Sequence, residues 1–157
     1  MIAPDQYTAY RDWLIATDTL ETYLNRALAR DGLSMSEYRV LVVLSEAPDG
    51  HLRMSDLASD AHHSPSRSSH TIARLESRGW VRRTPHATDR RVVFVALTPA
   101  GEALYAQARP RYHAALKRIF VDAVGPENIP ELDATMRRII AATGVTQAIG
   151  LAESPEY

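Results

Sequence analysis

No cysteine occurs anywhere in the chain, which excludes disulfides, thiolate metal sites, cysteine nucleophiles and thiol-based redox sensing together. Nor does any stretch approach the roughly 20 consecutive apolar residues that span a bilayer. The opening Met1-Ile2-Ala3-Pro4-Asp5 has no basic segment leading into an apolar one, so neither a membrane anchor nor a signal peptide is expected. A reducing, cytoplasmic setting is the expectation. Enzyme signatures are missing too: there is no G-x-G-x-x-G, no phosphate-binding loop, no G-x-S-x-G and no H-E-x-x-H. Catalysis would need scattered residues such as His62 and Asp60 to converge unaided, so neither an enzyme nor a cofactor is expected. Internal repeats and low-complexity segments are absent as well.

What is present is ordinary globular composition, 45% hydrophobic and 24% charged over 157 residues, enough for one domain with a real core. The charge is unevenly placed. Seven arginines (67, 74, 78, 82, 83, 90 and 91) fall between Ser64 and Leu97 against only two acids, Glu76 and Asp89, while the whole chain carries −1. A near-neutral protein with its positive charge gathered on one segment looks like a nucleic-acid binder with a confined footprint.

Apolar spacings of three and four from Tyr10 through Trp13, Leu14, Leu20, Leu24 and Leu28 predict a long amphipathic helix over 4–30, ended by Asp31-Gly32. Ser34 and Glu37 have capping-box spacing ahead of a second helix that stops at Pro48-Asp49-Gly50. Leu52-Arg53 is a candidate minimal strand before a helix over 54–61. Ser64 as N-cap with Pro65 at the first helical position starts a basic helix that ends at Gly79. Strands over 80–84 and 91–97 then flank a loop at 85–89, with apolar residues on both faces of the second strand. Thr98-Pro99 opens a helix over 100–124 that Pro110 should kink. Gly125-Pro126 breaks it before a last helix over 130–143, and 147–157 should fray. The first helix and the last two carry more apolar surface than a compact core can cover, so a second copy of the chain is the expected partner.

The basic helix offers Ser66, Arg67, Ser69, His70 and Arg74 along one side, groups that bond phosphates and base edges, with Ser64 and Ser66 toward the backbone. The hairpin tip carries Arg90 and Arg91, suited to a phosphate or a narrow minor groove. The segments Leu57-Ala58-Ser59-Asp60-Ala61, Ser64-Pro65-Ser66, 74–83, Asp89-Arg90-Arg91 and 97–101 together resemble the MarR family of bacterial winged-helix regulators. The resemblance implies a mainly α winged helix-turn-helix fold with a small β-hairpin wing. It places the DNA-binding lobe at 34–98 and dimerisation helices at 4–32 and 99–145 in a single domain of 1–157. It also implies a homodimer on a pseudo-palindromic operator of double-stranded DNA, acting as a repressor released by a small molecule. Carried over by position, 64–78 is the recognition helix, 80–97 the wing, and Asp89 orients neighbouring arginines while Arg91 reaches DNA. The chain departs from the family pattern at His62 and His63, in place of Gly and an aliphatic residue, and at Ser68 and Thr71, in place of Val and Leu.

Other readings stay open on the residues alone. The arginines also fit a solvated face or a winged-helix module that binds protein. His62, His63 and His70 with Asp56 or Asp60 offer imidazole and carboxylate ligands for a metal-responsive regulator, although the spacing matches no standard zinc pattern, and no metal is expected. Tyr10, Trp13, Tyr38, Arg39 and His63 are the candidate pocket for a small aromatic or phenolic effector. Trp13 and Tyr38 read equally as packing residues. His51, His86 and His113 are expected on the surface.

Overall fold

A computed structural model describes residues 1–86, 88–89 and 91–143. Arg90, the end of the predicted C-terminal dimerisation segment at 144–145, and the 147–157 tail lie outside the described residues. Along the chain run α1 (Pro4–Ala29), α2 (Met35–Ser45), β1 (Leu52–Arg53), α3 (Met54–Asp60), α4 (Pro65–Ser77), β2 (Val81–Pro85), β3 (Val93–Leu97) and α5 (Pro99–Leu116). A π-helical segment, Lys117–Val121, leads into the short α6 (Asp122–Val124). A 3-10 turn, Pro126–Asn128, then precedes α7 (Ile129–Ala142). Among the described residues no helix is long and apolar enough to cross a membrane.

The core forms where α2, α3, α4 and the sheet close on the C-terminal end of α1 and on α5. Leu28, Tyr38, Leu41, Leu57, Ile72, Leu75 and Val95 are all essentially solvent-free there, each apolar side chain contributing about 1.5–3 kcal/mol by its removal from water. On α1 only Leu24 and Leu28 are buried, while Tyr7, Tyr10, Trp13, Leu14 and Ile15 stand exposed. The amphipathic stripe that predicts the helix is therefore covered along only its last turns.

Two expectations change. The hairpin is part of a three-stranded antiparallel sheet in the order β1-β3-β2, because Leu52 pairs with Val95 and Arg53 with Phe94. β3 thus lies between two neighbours, with Val95 buried and its other four residues half-buried. The second change is in the C-terminal arm. The helix expected over 100–124 continues through Pro110 but shifts to π geometry at Lys117–Val121.

One backbone device closes three helices. After α1, Leu33 N–H donates to Leu28 O and Gly32 N–H to Ala29 O; after α4, Trp80 N–H donates to Leu75 O and Gly79 N–H to Glu76 O. After α3 the same pair runs from His63 N–H to Ala58 O and from His62 N–H to Ser59 O. The motif demands a left-handed residue, and His62 supplies it at φ 55° where the other two helices use glycine. A side chain there costs about 1–2 kcal/mol, partly offset by the lower entropy of a non-glycine unfolded chain. His62→Gly is expected to raise stability by about 0.5–1 kcal/mol, read as a higher urea midpoint at unchanged slope.

Candidate nucleic-acid interface

The helix-turn-helix consists of α3, the His62-His63 turn and α4. Ser64 caps α4 by accepting from Arg67 N–H at 3.2 Å. The helix divides cleanly: Ser68, Thr71, Ile72 and Leu75 are buried, and Ser66, Arg67, Ser69, His70 and Arg74 are exposed. All five predicted contact residues of the helix are therefore exposed. Ser66, Ser69 and His70 have no side-chain hydrogen bond among the described residues.

Arg67 and Arg74, expected to contact bases or phosphates, also make contacts within the protein. Arg67 Nη2 donates to Ser36 Oγ at 2.6 Å. Arg74 Nε lies 3.4 Å from Glu37 Oε1, and Arg78 Nη1 is 3.9 Å from the same oxygen. Glu37 is buried at the start of α2, where its other oxygen accepts from Ser34 N–H and Ser34 Oγ, both at 2.8 Å. The residue read as a helix cap is thus also the anchor of the recognition helix. Its second role depends on α4 packing across α2, which no local spacing reveals.

The wing is tied to the same helix. Glu76 accepts from Arg83 Nε at 2.8 Å and from Arg83 N–H at 3.2 Å. Arg78 stacks over Trp80 at 5.0 Å and donates to Gly32 O at 2.9 Å. At the tip, Asp89 Oδ1 accepts from Arg91 N–H at 3.0 Å and Nε at 3.3 Å. The Arg91 side chain is 93% exposed, so the carboxylate orients the guanidinium without hiding it. Arg82 is exposed on the outer edge of β2. His86, expected on the surface, is half-buried instead: its Nδ1 accepts from Thr88 N–H and Asp89 N–H, both at 3.3 Å, and so shapes the turn that presents Arg91. His113 is likewise half-buried, while His51 is exposed.

The candidate effector residues are dispersed. Tyr10 and Trp13 stand on the exposed half of α1. Tyr38 is buried, with the ring of Tyr112 at 4.4 Å and that of Tyr105 at 5.9 Å. Arg39 is half-buried on α2 and His63 buried in the turn. Trp13 does line an apolar cavity of about 630 Å3, with Leu20, Ile119, Phe120, Leu132 and Met136, but the other four candidates do not. Among the described residues no three His, Asp or Glu side chains converge as a metal site.

His63 and Ser68 occupy the positions flanking the start of α4 that usually hold an apolar staple. Both are more than nine-tenths buried, and neither His63 ring nitrogen nor Ser68 Oγ has a hydrogen-bond partner. Burial first, then the positive charges of Arg67, Arg39 and His62, hold the His63 pKa below its ordinary 6.5. The folded state therefore binds fewer protons than the unfolded state just below pH 6.5. This contribution to stability is present above that pH and is lost as the pH falls from 6.5 toward the depressed folded value. His113, lowered by burial and by Arg109, acts in the same direction.

Two measurements check these assignments. Denaturant midpoints between pH 7.5 and 5 should fall for the wild type and fall less for His63→Leu, the remainder belonging to His113. A double-mutant cycle on Glu37→Gln and Arg74→Gln should give a coupling of about 1 kcal/mol, discounted for the exposed arginine; additive effects would remove the anchoring role.

The MarR family profile matches residues 31–92, a span that takes in the helix-turn-helix and most of the wing. The structure of AbsC, a MarR family transcriptional regulator from Streptomyces coelicolor, superposes with a TM-score of 0.85 at 35% identity, over 91% of this chain and 97% of that one. Sco3205 from the same organism, a MarR family transcriptional regulator solved in complex with DNA, gives 0.87 at 35% identity over 94% and 92%. An uncharacterized HTH-type transcriptional regulator of Bacillus subtilis, YfiV, is 33% identical over 95 residues; that match takes in 60% of this chain and only 58% of the relative's length. With its winged helix-turn-helix, its exposed polar recognition helix and these relatives, the chain belongs to the MarR family of DNA-binding transcriptional regulators.

Proposed function

We propose that the protein acts in the cytoplasm as a homodimeric repressor on a pseudo-palindromic operator. The observation that carries this reading is the juxtaposition of two exposed features. One is the Ser66, Arg67, Ser69, His70 and Arg74 face of α4; the other is a wing whose Arg91 is held outward by Asp89. In this reading two α4 helices enter successive major grooves, roughly 34–36 Å apart, and the wings reach the flanking minor grooves. The hydroxyls and His70 bond base edges and phosphates, and Arg90 and Arg91 serve the wing's contact with DNA. Arg67 and Arg74 exchange their contacts with Ser36 and Glu37 for DNA, or stay and align the helix.

The dimer reading rests on the exposed apolar side chains of α1 and α7, from Tyr7, Tyr10, Trp13, Leu14 and Ile15 to Ile139 and Ile140. Patches of this kind mark association surfaces. Release by a small aromatic or phenolic effector is part of the proposal, and the Trp13 cavity between α1, α6 and α7 is of a size that suits it. Such a ligand acts only through a difference in affinity between the two lobe spacings.

Fluorescence anisotropy on duplex fragments across a salt series tests the reading. Binding should weaken steeply with salt. Arg91→Ala should weaken all sequences alike and lower the salt slope by about 1, whereas His70→Ala should cost about 1–3 kcal/mol on the preferred fragment and relax its selection. Absence of binding to any duplex at low salt would overturn it.

A further inference from the structure

Between the C-terminal turns of α1 and the later turns of α5 lies a cleft of about 440 Å3. It is lined by four arginines (26, 30, 111 and 118), Tyr23 and three alanines, with no acid among them. The chain outside 64–97 is net acidic, so this gathering of cations runs against its surroundings. Arg111 is committed: it pairs with Asp31, whose side chain is 1% exposed and accepts also from Gln107 Nε2 at 3.0 Å. Burial alone would raise the Asp31 pKa, but the bonds from Arg111 and Gln107 together hold it below its ordinary value. Arg26, Arg30 and Arg118 have no hydrogen bond or ion pair among the described residues.

The end of α1 favours a cation electrostatically, which accounts for Arg26 or Arg30 singly. It does not account for both. They stand four apart, a like-charge spacing that opposes the helix, and Arg111 and Arg118 meet them from another element. The alanines keep the floor open, and the Tyr23 ring supplies a flat wall with a hydroxyl. Guanidinium groups bind carboxylate and phosphoryl oxygens as two-pronged donors.

We propose that this cleft binds a small organic anion carrying two or more negative groups, carboxylate or phosphoryl, on a compact body. The site lies on α1, α5 and the π-helical segment that follows it, away from the exposed face of α4. An anion bridging Arg26 or Arg30 to Arg118 would fasten together the two helices that Asp31 and Arg111 already join. Occupancy is measured without DNA, so its outcome is independent of the operator reading.

The test is isothermal titration calorimetry of the full chain at low salt with benzene-1,3,5-tricarboxylate, with inorganic pyrophosphate and with benzoate. Saturable binding of the first or second, at least about tenfold tighter than benzoate, is expected. Preference between those two identifies the anionic group. Arg26→Gln with Arg118→Gln should weaken binding about tenfold for each guanidinium removed, while an unchanged urea midpoint of the same variant reports an intact fold. Ala114→Phe, which fills the floor and retains every charge, should also block the probe. Arg74→Gln with Arg91→Gln should leave it unchanged. The proposal is overturned by absence of saturable binding with either polyanion. It is equally overturned if binding is lost in the Arg74 and Arg91 variant but kept in the Arg26 and Arg118 variant. It also fails if neither polyanion binds and the cleft variant instead shifts the monomer–dimer balance in sedimentation, which would make the cleft a seat for an acidic segment of a second copy.

Discussion

The lobe that presents the recognition helix depends on one buried carboxylate. Glu37 closes the N-terminal turn of α2 through Ser34 and faces the guanidiniums of Arg74 and Arg78 from the other side. A buried carboxylate without partners would cost several kcal/mol, so these donors are what make its position tenable. The consequence is geometric. α4 is held across α2 by directional, charge-assisted contacts along its exposed flank as well as by Ile72 and Leu75 beneath it. Arg67, bonded to Ser36 one residue away from Glu37, adds a contact about two turns earlier on α4.

From α4 the contacts continue to the wing and then to α5 and the end of α1 through short links. Arg83 binds Glu76, which fixes β2 against the end of α4. Thr98 Oγ1 donates to Gly79 O at 2.6 Å and caps α5 by accepting from Gly101 N–H at 3.1 Å. At Gly101 an added Cβ would come within 2.0 Å of Trp80 O, so only glycine lets α5 begin directly against the first residues of the wing. Farther along, Arg111 and Gln107 clasp Asp31 at the end of α1. Recognition helix, wing and the α1–α5 arm are thus joined by contacts in series.

The turn before α4 is the soft point of this set. An apolar N′–N4 contact ordinarily fixes how the chain enters a helix. Here His63 and Ser68 stand in those places, buried and without hydrogen-bond partners, behind a left-handed His62. Each feature subtracts from local stability. Together they leave the recognition helix relying on Glu37, Ser36 and the Ile72–Leu75 face for its orientation, and the buried His63 makes the turn sensitive to acid.

The sequence alone determined the helix order, both serine caps, the glycine stops and the division of α4 into a buried and an exposed side. These follow from periodicity and capping chemistry within a few residues of one another. The Asp89–Arg91 pair was legible only through the resemblance of Asp89-Arg90-Arg91 to the family's wing. Tertiary structure alone decided the rest: β1 as the third strand, Glu37 as the anchor of Arg74, His86 as the support of the wing tip, and the dispersal of Tyr10, Trp13, Tyr38, Arg39 and His63. Tyr10 and Tyr38 are both aromatic positions on helical stripes, yet one is in water and the other is fully enclosed by α5. Local pattern states which face of a helix is apolar. Only the packing of elements distant in sequence states what covers that face, and which buried charge meets which partner.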